Sequence, residues 1–515
     1  MVPMQQAIPG LSEKRAVKYL TGATLFTIVA ALLFTNKWFT AVDDECDIVG
    51  RAAQPALQTI KLYLSNTAKL EHPPLYDLIL HGWLRLTGGQ EFLLRFPSIV
   101  FFALGAWALS KAAARLGGTR SRLWILFLMV LWPYGFHFGR LACWYSFCFL
   151  IVAMLTLSYL RFVEKPTWGN WATVMLLAVA LVYANYFGWA LLACLGLDFL
   201  LRNFRNIGAW WHQAVGTGIL LLVAYAPIFR TFLTEIHTGV HTRHSIAAIF
   251  FMGIYNFYCI FVSESVAPWF WPIGVPAGIA AASCFLLTIW GAPLAARRFL
   301  LYFTGLLVVM TLLGVVTTKR MMLIAAWLIL ATGVALGSWS WQKGRRLLLA
   351  AVAIAFAVGW FGIFSRKLYA APHWIEPWET IAKEAAGTLP SGGVVIGNNP
   401  SFFFYLTYLA PRTEPAGGGF AGLLPEAVHS AGVYDPQEWL ASGAPLGSTT
   451  MLVKGLHFDI PEAPTDETQA RLDTRCQLVS DRSLVYDPGA HWKRRYAPED
   501  NQLDWRIEIR EYSCH

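Results

Sequence analysis

Long apolar stretches constrain the fold of this chain more than any other feature of its sequence. Stretches of about 17–25 mostly apolar residues, the length that a helix needs to cross a bilayer, recur from the N-terminal region to about residue 365. Of the 515 residues, 56% are hydrophobic and only 14% are charged, whereas a soluble domain usually carries about 25% charged residues. The sequence therefore predicts a polytopic α-helical membrane protein and excludes a soluble enzyme with a single anchor.

We predict about eleven membrane-spanning helices from the length of these stretches. The predicted spans cover about residues 17–39, 96–114, 122–138, 141–160, 171–184, 187–201, 213–229, 272–291, 299–316, 321–338 and 347–364. Residues 246–270 are also apolar, but Ser263-Glu264-Ser265 and Pro268 interrupt them. This interruption favours a re-entrant or interfacial segment over a further span.

The distribution of basic residues predicts the topology. Lysines and arginines cluster at the N-terminus and after the second, fourth, sixth, eighth and tenth spans, and such clusters are typical of the cytoplasmic side. The loop 40–95 and everything after the last span would then lie outside the cytoplasm. We predict a transmembrane domain over residues 1–368 and an extracytoplasmic α/β domain over residues 369–515. Cys476 and Cys514 of this second domain could form a disulfide or remain two thiols.

Acidic residues directly after the first span mark a candidate functional site. Asp43, Asp44 and Glu45 stand in a row where the helix ends, and acids beside a cavity at a membrane helix end indicate function. The motif HPPLY at residues 72–76 follows and opens a short apolar helix, Leu75 to Leu86. Because twelve residues cannot cross a bilayer, we expect this helix to lie in the interface.

The order of these motifs resembles the GT-C glycosyltransferases. An acidic pair is followed by HPPLY, by LxLHxWLRLxG in the short helix, and by EFxLRxPS at residues 91–98, where the second span begins. The match is dense over residues 40–118. It continues in GRLACWYSF (139–147), LVYANYFGWALL (181–192), AYAPIFR (224–230) and TTKRMMLIAAWLIL (317–330). Within the superfamily the chain looks most like the branch of protein mannosyltransferases and lipid A aminoarabinose transferases.

This resemblance implies transfer of one sugar from a polyprenyl phosphate to an acceptor at the outer face of the bacterial cytoplasmic membrane. The acidic pair of the family falls on Asp44 and Glu45, so we predict that Asp44 is the general base. Glu45 would support Asp44 or bind a sugar hydroxyl. Asp43 is an extra acid, which leaves open the alternative that the acidic pair falls one residue earlier, on Asp43 and Asp44. Crowding of these carboxylates is expected to raise at least one pKa.

The leaving group is an anionic lipid phosphate, which calls for cations rather than a general acid. The resemblance places Lys319 and Arg320, between the ninth and tenth spans, and Arg140, between the third and fourth, at the donor phosphate. For the substrates it points to His72, Tyr76, Asn185 and Tyr186. Some relatives carry a further aspartate after the arginine, but here the sequence reads Leu141-Ala142-Cys143.

No cofactor is expected from the sequence, and nucleic acid is not an expected partner. The expected partners are the polyprenyl-phosphate sugar, a lipid, glycan or protein acceptor, and membrane lipids. Two alternatives stay open: a metal-dependent oligosaccharide transferase or ligase with a pyrophosphate lipid donor, and a lipid-linked sugar flippase. His237, His241 and His244 are close in sequence, but Gly239 and Thr242 favour a polar loop over a helical metal site.

Overall fold

A computed structural model describes residues 11–41, 43–65, 72–239, 246–370, 374–409, 432–456, 463–485 and 506–514. The first part of the chain is helical. Its helices are α1 Leu11–Phe34, α2 Asp43–Ala53, α3 Ala56–Ser65, α4 Leu75–Thr87, α5 Glu91–Leu94, α6 Phe96–Leu131, α7 Pro133–Phe138, α8 Trp144–Glu164, α9 Trp168–Ala184, α10 Gly188–Asn203, α11 Ile207–Tyr225, α12 Phe229–Gly239, α13 Ile246–Val262, α14 Trp271–Gly291, α15 Leu294–Leu312, α16 Met322–Ser338 and α17 Gln342–Ser365. Short 3₁₀ turns connect several of them, including Ser263–Ser265 and Lys319–Met321.

Within the described residues, nine helical segments are long and apolar enough to cross a membrane. One of them contains α6, whose 36 residues would extend about 54 Å if straight, far beyond a hydrocarbon core of about 30 Å. Instead the helix breaks at Gly118, where φ is 79° and ψ is −173°. The rings of Phe102 and Trp132 then lie 6.4 Å apart, so the two arms run antiparallel. These arms correspond to the predicted second and third spans.

The segment α13 packs against several neighbouring helices. Gly253 contacts Thr311 near the last turn of α15. At the other end of the helix, Trp132 Nε1 donates a hydrogen bond of 2.6 Å to the Ile260 carbonyl, and Ser265 Oγ donates one of 2.8 Å to the Gly359 carbonyl. Gly253 and Ile260 thus lie at the same end of the bundle, while Phe257 reaches Phe303 in the middle of α15. This arrangement is compatible with the re-entrant or interfacial segment that the sequence predicts.

The count of spans follows from these details. Two short apolar helices, α9 with 17 residues and α10 with 16, continue the antiparallel order of the bundle. Starting from the nine segments above, α6 counts as two arms, α9 and α10 are added, and α13 is left out. The described residues then contain the eleven spans that the sequence predicts. Trp132 interrupts the third predicted span, so that residues 133–138 form the separate short helix α7.

The C-terminal part forms a small α/β unit, as predicted. A five-stranded sheet has the order β2-β1-β3-β5-β4, with β1 parallel to its two neighbours and β5 antiparallel to its own. Its strands are β1 Val394–Gly397, β2 Val433–Tyr434, β3 Thr449–Leu456, β4 Gln477–Val485 and β5 Arg506–Ser513. Its helices are α18 Trp378–Thr388 and α19 Pro400–Leu409, followed by Pro436–Ala441 and Ala463–Arg475.

Apolar and β-branched runs at residues 393–397, 450–453, 477–486 and 505–511 predict four of these strands, and the patterns at residues 379–389 and 402–409 predict the first two helices. The two-residue strand β2 and the last two helices are not predicted from the sequence. Cys476 and Cys514 form a disulfide in the structure, with Cα atoms 4.4 Å apart. Of the two alternatives that the sequence left open, a disulfide or two thiols, the structure has the disulfide.

The α/β unit packs on the loop that precedes α2. The backbone N–H of Thr40 donates a hydrogen bond of 3.0 Å to the Trp374 carbonyl. The next residue, Ala41, donates its N–H to the hydroxyl of Tyr405 on α19 at 2.9 Å. The C-terminal domain therefore fixes the backbone that leads directly into the acidic residues of α2.

Candidate active site

Asp44 lies in the first turn of α2, at the end of the bundle that faces the C-terminal domain. Its Oδ2 accepts a hydrogen bond of 2.6 Å from the hydroxyl of Tyr145 on α8 and forms an ion pair with Lys319 Nζ. The carboxylate is 23% exposed and the Lys319 side chain 31% exposed, so both can be reached from outside. A helix N-terminus also favours a negative charge here. The predicted base and one predicted cation are therefore in direct contact.

The surroundings of Asp44 determine its pKa. Burial opposes ionisation, but the charge and hydrogen bond of Lys319, followed by the hydrogen bond of Tyr145, outweigh it. The pKa of Asp44 is therefore lowered below the ordinary aspartate value. For Asp44 this is the opposite of the rise expected from crowded carboxylates, because its nearest charged partner is a cation.

Glu45, the residue after Asp44, has a structural environment. It is fully buried, and its two oxygens accept hydrogen bonds from Arg95 Nε at 2.7 Å and Nη2 at 2.6 Å. The backbone N–H of Ala142 donates a third bond at 2.8 Å. Arg95 also donates to the carbonyls of Asn36 and Phe39. Of the two predicted roles for Glu45, these contacts favour support of Asp44 over binding of a sugar.

Arg320 follows Lys319 and lies beside the turn between α9 and α10. Its guanidinium is 5.9 Å from the ring centroid of Phe187, and its Nη1 donates a hydrogen bond of 3.1 Å to the Val315 carbonyl. Asn185 and Tyr186, predicted to bind substrate, directly precede Phe187. Asn185 is buried and accepts the Phe187 N–H at 2.8 Å, so its carbonyl oxygen shapes the turn.

Arg140 is enclosed near the same end of the bundle. It is fully buried between the rings of Phe136 and Phe39, at 4.0 Å and 4.9 Å, and donates to Thr35 and to the Phe136 carbonyl. Its Nη2 has no hydrogen-bond acceptor among the described residues. Burial, and then the charge of Arg95, lower the pKa of Arg140. A bound anion would offset both the burial of the guanidinium and its repulsion by Arg95.

His72 belongs to a buried polar network, and its ring lies 6.1 Å from that of Trp144, the residue before Tyr145. Arg51 donates from Nη2 to His72 Nε2 at 2.8 Å and from Nε to Asp77 at 3.0 Å, and Tyr63 donates to the same Asp77 oxygen at 2.9 Å. Because arginine can only donate, His72 Nε2 is unprotonated, and Nδ1 donates to the Pro73 carbonyl at 3.0 Å. The histidine is thus neutral and held from both sides.

Tyr76 lies apart from the pocket. It is fully buried, its hydroxyl bonds to Ser98 Oγ at 2.9 Å, and its ring packs 6.2 Å from Phe147. In this geometry it joins α4 to the start of α6, which is a packing role. The side chain of Asp43 and the predicted polar loop with His241 and His244 lie outside the described part of the structure.

Comparison with known proteins relates this arrangement to a family. The sequence profile of the dolichyl-phosphate-mannose-protein mannosyltransferase family matches residues 71–229, which contain HPPLY and the turns bearing Arg140 and Asn185. Among curated proteins, no sequence is significantly similar to this chain. The chain is a membrane glycosyltransferase with a GT-C fold.

The fold of this glycosyltransferase is similar to that of ArnT from Cupriavidus metallidurans. The crystal structure of ArnT in the apo state has a TM-score of 0.58 at 14% identity, over 97% of this chain and 98% of that one. The structure of ArnT bound to undecaprenyl phosphate has a TM-score of 0.54 at 14% identity, over 96% and 97% of the two chains. The similarity thus includes both the helical bundle and the C-terminal domain.

The structure adds Glu264, a residue that the sequence analysis noted only as an interruption, to the pocket of the glycosyltransferase. Glu264 follows α13, and its carboxylate accepts a hydrogen bond of 2.5 Å from Trp374 Nε1 and interacts with Thr318 and Lys319. Lys319 therefore pairs with Asp44 and also feels the charge of Glu264. In the sequence, the one indication of a role for Glu264 was its position as an acid inside an otherwise apolar segment.

A metal site would need several suitable ligands close together. In the ranges that the structure describes, no three His, Cys, Asp or Glu side chains are grouped in this way. The Lys319 ammonium occupies the side of Asp44 where a cation would bind. The expectation of no resident metal stays a prediction, and a chelator tests it directly.

Proposed function

We propose that this glycosyltransferase moves a single sugar from a polyprenyl-phosphate donor to an acceptor hydroxyl at the outer face of the bacterial cytoplasmic membrane. The observation that carries the proposal is the contact of Asp44 with Lys319 and Tyr145 at one end of the membrane bundle. A base and a phosphate-binding cation in contact are what displacement of a lipid phosphate by a hydroxyl requires.

The proposed reaction is one displacement at the anomeric carbon. The acceptor oxygen forms a bond to that carbon, the bond from carbon to phosphate oxygen breaks, and its electron pair leaves with the polyprenyl phosphate. The hydroxyl proton passes to Asp44. Before the donor binds, Lys319 neutralises Asp44 and weakens it as a base. When the donor phosphate draws the ammonium towards itself, the pKa of Asp44 rises and the base becomes stronger.

The donor class rests on chemistry and on one relative. ArnT, whose fold this chain shares, was crystallised with undecaprenyl phosphate. In this chain Lys319 and Arg320 are half-buried cations at this end of the bundle, and Arg140 is a buried guanidinium whose Nη2 has no acceptor among the described residues. Asn185 and Tyr186 directly precede Phe187, which lies beside Arg320, and we assign them, together with His72, to the substrates.

Two features support an extracytoplasmic active site. The Cys476–Cys514 disulfide is typical of an oxidising compartment, and it belongs to the domain that packs above Asp44. At the opposite end of the bundle lie basic residues such as Arg115, Arg202 and Arg298, in keeping with a cytoplasmic side.

A transfer assay tests the proposal. Membranes with the wild type or Asp44→Asn receive radiolabelled sugar on polyprenyl phosphate, and the label moved to a new product identifies the acceptor. We expect Asp44→Asn to lose about 10²–10⁴-fold in rate, the usual contribution of a general base. Asp466→Asn, an exposed acid of the C-terminal domain, serves as the control and should keep full activity.

Other outcomes separate the alternatives. Normal transfer by a folded Asp44→Asn protein rejects Asp44, and Asp43→Asn and Glu45→Gln are then compared. Loss of wild-type activity with a chelator would favour a metal-dependent transferase with a pyrophosphate donor. Movement of intact donor across the bilayer without transfer would favour a flippase.

A further inference from the structure

A second cavity lies in the bundle between α8, α9, α10 and α11, and the proposed reaction does not use it. It encloses about 250 Å³ and is lined mainly by aliphatic and aromatic side chains. Tyr159 of its wall is 14 residues beyond Tyr145 on α8, so it lies about 21 Å from the residue that contacts Asp44. The cavity therefore belongs to the opposite half of the membrane domain.

Tryptophans place this cavity at the depth of a membrane interface. Trp171 lines the cavity and donates from Nε1 to Thr217 at 3.1 Å. Trp168 and Trp211, at the starts of α9 and α11, are 62% and 52% exposed, as in the aromatic belt at a bilayer surface. Leu200, another wall residue, is 42% exposed, so the cavity reaches the lipid-facing surface of the bundle.

Basic residues follow directly on the helices that form the wall. Arg161 and Lys165 come after Tyr159 on α8, and Arg205 comes after the end of α10; all three are exposed. The acid of this stretch, Glu164, is paired with Arg115. An excess of positive charge therefore lies at the ends of the helices that form the wall.

An ion-pair cluster next to the wall residue Tyr159 adds to this charge. Tyr159 donates its hydroxyl to Asp198 at 2.5 Å, and the same carboxylate pairs with Arg202 at 2.6 Å and Arg298 at 3.4 Å. One carboxylate against two guanidinium groups leaves a net positive charge beside the cavity. The Oε1 of Gln213, a wall residue, is buried and accepts no hydrogen bond within the described ranges. It offers an acceptor to a ligand hydroxyl.

We infer that this cavity binds an anionic phospholipid of the leaflet opposite the candidate active site. An acyl chain fills the apolar space, and the phosphate lies among the cations at its interfacial end. Phosphatidylglycerol suits the site because its phosphate matches the positive charge and its glycerol hydroxyls can donate to Gln213. Polyprenyl phosphate is the less suitable occupant, because its phosphate would lie at the wrong end of the bundle to react with Asp44.

Two glycines provide a matched pair of variants. A Cβ atom at Gly196, on the wall of the cavity, would meet nothing within 4 Å, and the same holds at Gly218 on α11, which does not belong to the wall. Both are exposed helical positions. Gly196→Leu therefore places a side chain into the cavity without a backbone clash, whereas Gly218→Leu places one elsewhere on a neighbouring helix.

The experiment measures lipid binding to the full-length, delipidated protein by native mass spectrometry with added phosphatidylglycerol or phosphatidylcholine. We expect phosphatidylglycerol to bind more tightly, Gly196→Leu to weaken it about tenfold, and Gly218→Leu to bind like the wild type. Replacing Arg161 and Arg205 by glutamine should weaken phosphatidylglycerol about fivefold per cation and leave phosphatidylcholine unchanged.

Three results would overturn the inference. These are equal binding of the two phospholipids to the wild type, unchanged phosphatidylglycerol binding by Gly196→Leu, and selective retention of added undecaprenyl phosphate at the site. If Gly196→Leu fails to fold, the variants of the exposed arginines decide alone. Phosphatidylglycerol binding that is unchanged in these variants would contradict the proposed site. Transfer activity has no part in this readout, so the result is independent of the proposed function.

Discussion

Asp44 and Lys319 form the ion pair on which the proposed reaction depends, and the pH dependence of catalysis reports on it. Asp44 acts as a base only when ionised, so kcat/KM falls as the pH falls through its pKa. In the wild type Lys319 and Tyr145 lower that pKa against the effect of burial. Lys319→Gln removes the main lowering contact while burial remains, so the pKa rises.

We therefore expect the acid limb of the kcat/KM profile to move to higher pH in Lys319→Gln, in addition to a loss of rate from weaker phosphate binding. The measurement is the transfer rate from pH 4 to 9 at low donor concentration. Lys37→Gln, which breaks an exposed pair with Glu379, is the control and should leave the limb in place. Coincident limbs for Lys319→Gln and wild type would contradict the role of Asp44 as the titrating base.

The prediction for Glu45 concerns the stability of the protein rather than its chemistry. Glu45→Gln leaves the guanidinium of the buried Arg95 without its charged partner, and breaking such a pair costs about 3–5 kcal/mol. We expect a markedly lower midpoint of thermal unfolding in detergent, together with lower activity because the loop before Asp44 loosens. A Glu45→Gln protein as stable as the wild type but inactive would instead point to direct contact of Glu45 with the sugar.

Helices and loops show which parts of the fold the sequence can predict. The two arms of α6 follow from composition, because two apolar stretches flank a basic segment with Gly117-Gly118, and only glycine readily takes the positive φ at residue 118. The strands β1, β3, β4 and β5 follow from their apolar and β-branched residues. The last two helices were missed because they are short or polar, and the C-terminal sheet rather than their own pattern holds them.

Local sequence patterns do not predict contacts between residues that are far apart in the chain. Asp44 is identifiable from its place after the first span, but the ammonium that contacts it is 275 residues away in the chain. The resemblance to known enzymes, not any spacing, singled out Lys319. Glu264 had no such signal, and Arg95 stood in the motif EFxLRxPS without an assigned role. Their importance appears only when α13 and α5 are folded against the loop that precedes α2.

For the molecule as a whole, the C-terminal domain has a direct connection to the active site. Its Tyr405 and the neighbouring Trp374 hold the backbone at residues 40–41, and Trp374 also contacts Glu264. The disulfide joins β5 to the start of β4 within this domain. A cross-link over 38 residues of chain stabilises a fold by about 2–4 kcal/mol.

Replacing Cys476 and Cys514 by serine should therefore make the C-terminal domain easier to unfold while the membrane bundle stays intact. We expect limited proteolysis in detergent to cleave the double variant several times faster within residues 432–514, with transfer activity declining in parallel as Tyr405 and Trp374 lose their positions. Cys284→Ser, at a buried thiol of the bundle, controls for loss of a cysteine. If the domain were cleaved while activity persisted, the contacts at residues 40–41 would be dispensable, and the bundle alone would hold Asp44 against Lys319.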